Sequence, residues 1–136
     1  MLPGNSWHIS FDNRHPIYKQ IINHFSRSLV RGELCAGDRI PSIRELSMAL
    51  KVNTNTIQRA YQEMERDELI YSQRGLGYFI MENEAIADRV RQTMVSETLS
   101  RFLEDMRALG FSDAQIMNGI EQKIKEGGEQ DAIDVN

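Results

Sequence analysis

DRIPSIRELSMALKVNTNTIQRAYQEMERDELIYSQRGLGYFI, residues 38–80, joins two short helical patterns by a tight turn and follows them with a glycine-punctuated hairpin. That order predicts a winged helix-turn-helix, which holds one helix proud of a small core so that its exposed side chains can enter the major groove of DNA. Ser42 is placed to cap the first helix and Glu45, three residues on, to reach back to it. Pro41 disfavours helix at the residue before it. Ile43, Leu46, Ala49 and Leu50 then recur at helical spacing as a buried face, with Arg44, Glu45 and Lys51 toward solvent.

Asn53 or Thr54 marks the next helix start. Ile57, Ala60, Tyr61 and Met64 fall at i, i+3, i+4 and i+7, which leaves Asn55, Thr56, Gln58, Arg59 and Gln62 on the outer side. Amide, hydroxyl and guanidinium groups suit DNA chemically: Asn or Gln pairs bidentately with adenine, Arg pairs with guanine, and a threonine methyl meets a thymine methyl. Any amphipathic helix has a polar face, so the hairpin carries the argument further. Residues 70–73 and 78–81 have strand-like composition, and Arg74, Gly75, Leu76 and Gly77 supply the turn between them. A basic residue at that tip can reach a phosphate or the minor groove.

Three linked segments, GDRIPSIREL (37–46), VNTNTIQRAY (52–61) and QRGLGYF (73–79), closely resemble the GntR family of bacterial transcriptional regulators. The resemblance implies DNA contact by Arg44, by Thr54, Asn55, Thr56 and Gln58 at the start of the recognition helix, and by Arg74 and Gly75 at the wing tip. Many members carry arginine at the positions of Thr54 and Gln58, so their operator preference does not transfer. The wording around Asn55 to Tyr61 is similar to the YtrA-type branch, which uses a short two-helix tail for dimerisation and lacks a large effector domain. That branch implies regulation of neighbouring transporter operons.

Upstream of the quoted stretch, Pro16 opens a further helix whose stripe of Tyr18, Ile21, Ile22, Phe25 and Leu29 predicts a core helix covering the other two. Trp7, Ile9 and Phe11 alternate with polar residues and predict a short strand or an extended arm. Downstream, Ile86, Val90, Met94, Leu99, Phe102, Leu103, Met106 and Leu109 follow a helical period over residues 84–109, and Gly110 breaks it. Phe111 and Ser112, with Gln115 three residues after the serine, form a staple and capping box. They open a shorter helix with Ile116, Ile120 and Ile124 four apart, which Gly127 and Gly128 are expected to stop. Two such stripes cannot bury themselves well on each other, so a symmetric twin is the simplest partner.

The fold class expected is therefore mainly α with a small β-hairpin wing: a winged helix-turn-helix domain over 1–82 and a two-helix dimerisation tail over 83–136. A chain of 136 residues with 40% hydrophobic content can bury one modest core and an interface, without room for a catalytic domain of ordinary size. The net charge of −4 is unevenly spread. Residues 1–82 carry 10 basic against 9 acidic side chains, and residues 83–136 carry 6 against 11, so the acidic excess lies in the tail. Glu63, Glu65, Asp67 and Glu68 belong to the end of the recognition helix away from DNA.

Enzyme chemistry is not indicated. Cys35 is the only cysteine and has no assembled partner set for nucleophilic work, while His8, His15 and His24 have no metal-ligand spacing. No phosphate-binding glycine motif, export leader or membrane-length apolar run is found, and no cofactor is implied. The reading that results is a cytoplasmic, homodimeric repressor that occludes double-stranded operator DNA. Two alternatives stand beside it: a protein-binding winged helix, and a small-molecule sensor with an effector pocket between domain and tail lined by Tyr71, Phe79 and Met94.

Overall fold

The computed structural model describes residues 7–135. In chain order the elements are α1 (Ile17–Val30), β1 (Arg39–Ile40), α2 (Ile43–Leu50), α3 (Thr54–Arg66), β2 (Ile70–Gln73), β3 (Gly77–Ile80), α4 (Ile86–Ala108) and α5 (Asp113–Val135). This is the mainly helical winged arrangement expected, with one addition. Arg39 and Ile40 pair with Phe79 and Tyr78, so the hairpin gains a third antiparallel strand and the sheet runs β1-β3-β2.

The helix starts after α1 are secured by local side-chain hydrogen bonds. Ser42 Oγ accepts from the Glu45 amide at 3.0 Å, and Asn53 Oδ1 accepts from the Asn55 amide at 2.8 Å. Both oxygens satisfy an amide that has no partner inside its helix. Ser112 and Gln115 complete a reciprocal capping box, at 3.2 and 2.8 Å. No side chain caps α1; the Gln20 side chain instead ties down the loop before it, donating to the His15 and Asp12 carbonyls and accepting from the Asp12 amide. Residues 7–12 form an extended arm rather than a strand. Trp7 anchors that arm, with its ring 4.8 Å from Phe25 and 6.0 Å from His24.

The core is assembled from Ile21, Phe25 and Leu29 of α1, Leu46 of α2, and Ile57, Ala60, Tyr61 and Met64 of α3, closed by Ile40, Ile70 and Ile80 from the sheet. Tyr61 donates its hydroxyl to the Pro41 carbonyl at 2.6 Å, so the largest fully buried side chain also fixes the entry to α2. The predicted face of α2 is narrower than its spacing suggests. Leu46 is buried, Ile43 and Leu50 are half-buried and Ala49 is exposed, because among the other elements α2 packs on α3 alone. In α1, likewise, Tyr18 and Ile22 are only half-buried.

The chain divides into two compact units, one ending at Gln92 and the other beginning at Thr93. The division falls after Gln92 rather than Glu82 because the first turns of α4 belong to the winged domain. Ile86 and Val90, expected at a dimer interface, are buried within the chain instead. Arg89 donates to the carbonyls of Asp67 and Glu68 at 3.1 and 2.7 Å, and Arg91 reaches the Val30 carbonyl at 3.5 Å. These carbonyls end α3 and α1, where helix dipoles favour a cation.

In the second unit Arg107 pairs with Asp113 at 3.2 Å across the turn between α4 and α5. Ile116, also assigned to the interface from sequence, is enclosed within the chain. The expected stop at Gly127 and Gly128 does not occur, and α5 continues to Val135. Neither glycine has φ in the left-handed region and a Cβ there would meet nothing, so both simply continue the helix at a propensity cost of about 1 kcal/mol each.

Burial beside Trp7 holds the His24 pKa below its ordinary value of 6.5; Glu33 opposes that shift, and Arg31 and Arg27 reinforce it. The folded state therefore keeps this imidazole neutral while the unfolded chain protonates first. Stability contributed by neutral His24 is present above about pH 6.5 and is lost as pH falls through the lower, folded-state pKa. Urea midpoints should accordingly drop on acidification from about pH 7 to about pH 5. His24→Gln should flatten that drop; an identical drop in the variant would assign it to other groups.

Candidate nucleic-acid interface

Helix α3 separates its residues cleanly. Ile57, Ala60, Tyr61 and Met64 are buried, while Thr54, Asn55, Gln58, Arg59 and Gln62 are exposed and Thr56 is half-buried. The helix is held from behind by Phe25, whose ring meets Tyr61 edge-on at 6.0 Å, and by Tyr78, whose ring meets it at 4.9 Å. A rigid support of this kind lets a short helix present polar groups without moving. Burial drives the Tyr61 hydroxyl pKa far upward, so it remains a neutral donor to Pro41.

The turn before α3 is also braced. Lys51 adopts a left-handed conformation with φ 57°, and Ser47 Oγ donates to the Val52 carbonyl at 2.5 Å. Acidic residues lie at the far end of α3, where the carbonyls of Asp67 and Glu68 receive Arg89. For 13 residues at 1.5 Å each, that end is about 20 Å from Thr54.

Arg44 stands exposed on α2, and Arg74 and Gly75 stand exposed at the wing tip. The wing turns through Gly75 at φ 80° and Gly77 at φ 112°, conformations that strain an L side chain. Arg39, part of the GDRIPSIREL segment but given no role by the sequence, lies against this turn: a Cβ on Gly77 would sit 3.6 Å from its Nε. Its cross-strand position opposite Phe79 could be known only once β1 had joined the sheet. Among the described residues, Arg39, Arg44 and Arg74 have no carboxylate partner, whereas Arg66, Arg91 and Arg107 are each paired with an aspartate.

Tyr18, which periodicity assigns to the core, is only half-buried and borders a cleft. An open cleft of about 580 Å³ is lined by Pro16, Ile17 and Tyr18 from the start of α1 and by Asn55, Thr56 and Arg59 from α3. In it the Arg59 guanidinium carbon lies 3.9 Å from the centre of the Tyr18 ring, and Nη2 donates to the Tyr18 hydroxyl at 3.1 Å.

The other sequence candidates have structural partners. Cys35 is exposed in the turn before β1, where its amide donates to Asp38 at 2.8 Å. Tyr71 and Phe79 stack on each other at 5.6 Å, and Tyr71 donates to Glu82 at 3.0 Å. Met94 belongs to the second compact unit. Among the described residues no cluster of His, Cys, Asp or Glu could hold a metal ion, and no helix is long and apolar enough to cross a membrane.

Residues 17–80, which carry the helix-turn-helix and the wing, match the family described as bacterial regulatory proteins, gntR family. The chain is 42% identical over 118 residues to the uncharacterized HTH-type transcriptional regulator YhcF of Bacillus subtilis, an alignment spanning 87% of this chain and 97% of that protein. The chain belongs to the GntR family. It is similar also to the HTH-type transcriptional repressor YtrA of Bacillus subtilis, at 36% identity over 70% of this chain and 74% of YtrA, which supports the YtrA-type branch. A solved GntR family regulator from Listeria monocytogenes aligns with a TM-score of 0.69 and 36% identity, covering 82% of this chain and 98% of that one. As a GntR member the chain is a DNA-binding transcriptional regulator and not an enzyme.

Proposed function

We propose that this GntR regulator is a cytoplasmic homodimeric repressor that occludes an inverted-repeat operator of transporter genes, and that it needs no cofactor for DNA binding. The observation that carries the DNA-facing part is the division of α3, whose buried side rests on the core while Thr54, Asn55, Gln58, Arg59 and Gln62 stand in solvent beside it. Asn55, Thr56 and Gln58 read base edges in the major groove, Thr54 and Arg59 flank them, and Arg44, Arg74 and the Gly75 amide meet the backbone. Arg39 adds a further cation beside the wing turn at Gly77.

Support for a symmetric partner comes from the tail. Val95, Leu99 and Ile124 are 52, 54 and 68% exposed and Phe102 is 36% exposed, an apolar surface unusual for an isolated chain. Ile86, Val90 and Ile116 leave the proposed interface because the chain buries them itself. Leu99, Phe102 and Ile124 become its centre, with the half-buried Met94, Leu103, Met106 and Ile120 beside them.

Arg44→Ala and Arg74→Ala are expected to weaken binding to every duplex similarly. Each should lower the salt dependence by about one unit of slope for every phosphate interaction removed per half-site. Fluorescence anisotropy across a salt series measures both. Asn55→Ala should instead cost roughly 1 to 3 kcal/mol on the operator and relax preference at one position per half-site. Unaltered salt slopes for the arginine variants, or an Asn55→Ala loss equal on random DNA, would remove those assignments.

A further inference from the structure

The pairing of Arg59 with Tyr18 has no evident use in the core. Tyr18 is half-buried and Arg59 exposed, and the two meet at the edge of the open cleft that Asn55 and Thr56 also line. A free arginine on a helix surface samples many rotamers, and fixing it on a ligand carries an entropic cost. Here the cost is met before any ligand arrives. The guanidinium rests on the ring face at 3.9 Å, attracted by the aromatic quadrupole, and one N–H is tied to the phenol oxygen at 3.1 Å.

Of the five N–H donors of a guanidinium, this arrangement uses one, and Arg59 has no carboxylate neighbour among the described residues. The remaining donors form part of a planar fork that matches a phosphate. Arg59 is also four residues beyond Asn55, on the same side of α3 but displaced toward α1. A duplex whose base edges meet Asn55 would bring its sugar-phosphate strand past the start of α1.

We propose that Tyr18 is a positioning residue for DNA binding: it holds the Arg59 guanidinium preformed for a backbone phosphate at the α1 edge of the recognition helix. The proposal rests on the reading of α3 as the DNA-facing helix. Arg59 is thereby a phosphate contact rather than a base reader, and Tyr18 acts through it.

The test is a double-mutant cycle on the full-length protein, using a labelled duplex that the wild-type protein selects from a randomised pool. Arg59→Ala should weaken binding about tenfold and lower the salt slope by about one unit per half-site. Tyr18→Ala should weaken it about three- to tenfold, the cost of ordering one long side chain, while leaving the slope nearly unchanged. Combined with Arg59→Ala, it should cause no further loss. Tyr18→Phe keeps the stacking ring and loses the hydroxyl, so it should fall between wild type and Tyr18→Ala; this variant carries the test if Tyr18→Ala does not fold. Thermal melts on the same samples separate unfolding from weakened DNA recognition.

An equal loss from Tyr18→Ala with and without Arg59 would overturn the proposal, as would folded Tyr18 variants of undiminished affinity. If Asn55→Ala and Gln58→Ala weaken binding but Arg59→Ala does not, the proposal fails and the reading of α3 stands. If none of the α3 variants changes binding, both fail together.

Discussion

Ending the chain at Gln92 is expected to leave a folded monomer that binds the operator on the order of a hundredfold or more weakly than the full chain, because joining two half-sites through one dimer raises their effective concentration. Ending it at Glu82 should do something different. That cut removes Ile86 and Val90 from the core and takes away the caps that Arg89 and Arg91 place on the ends of α3 and α1. At about 1.5 to 3 kcal/mol for each buried side chain, the shorter fragment loses roughly 3 to 6 kcal/mol, a large part of the stability of a small domain. Ultracentrifugation, gel shift and thermal melting on the two fragments check this. Leu99→Arg in the full chain should reproduce the Gln92 result, with the monomer still melting cooperatively and Tm lower only by the stabilisation that association supplied. A monomeric full-length protein, or a Gln92 fragment with undiminished operator affinity, would remove the dimer. If the dimer is present, the half-site centres should lie about one helical turn, roughly 34 to 36 Å, or a multiple of it apart.

Phe25→Ala is expected to abolish most DNA binding at physiological temperature by unfolding the domain, although Phe25 itself does not face DNA. Phe25 is 1% exposed and joins three parts of the domain, with Trp7 of the arm at 4.8 Å and Tyr61 of α3 at 6.0 Å. Emptying such a site costs about 3 to 5 kcal/mol, since neighbouring rings cannot close the cavity without moving the helices that carry them. The urea midpoint should fall accordingly, and affinity should recover on cooling or with a stabilising cosolvent. Phe102→Ala offers a control: that ring is 36% exposed on the tail, so its loss should reduce association with little effect on monomer stability. A Phe25→Ala protein as stable as wild type would contradict this account of the core.

Periodicity reads the recognition helix correctly because every apolar residue at its core spacing, from Ile57 to Met64, meets a support: α1 on one side and the sheet on the other. It overstates α2, where one neighbour encloses Leu46 and leaves Ala49 in water. It also cannot divide the long stripe of α4. Ile86, Val90 and Leu99 look alike in the sequence, yet the first two are 2 and 5% exposed and the third is 54% exposed. What distinguishes them is which helix ends lie nearby, and that is a long-range fact.

Local rules were sufficient wherever residues a few positions apart decide the outcome. The caps at Ser42, Asn53 and Ser112, the glycine turn of the wing and the polar outer side of α3 all follow from bonds and sterics within one or two turns of chain, so the winged class was legible in the sequence itself. Tertiary structure decided what depends on distant partners. It added β1 to the sheet through the pairing of Arg39 with Phe79, brought Arg59 onto Tyr18 across 41 residues, and drew the first turns of α4 into the winged domain. Side-chain spacing records only which face of an element is apolar; the fold determines what that face, or an exposed cation beside it, comes to meet.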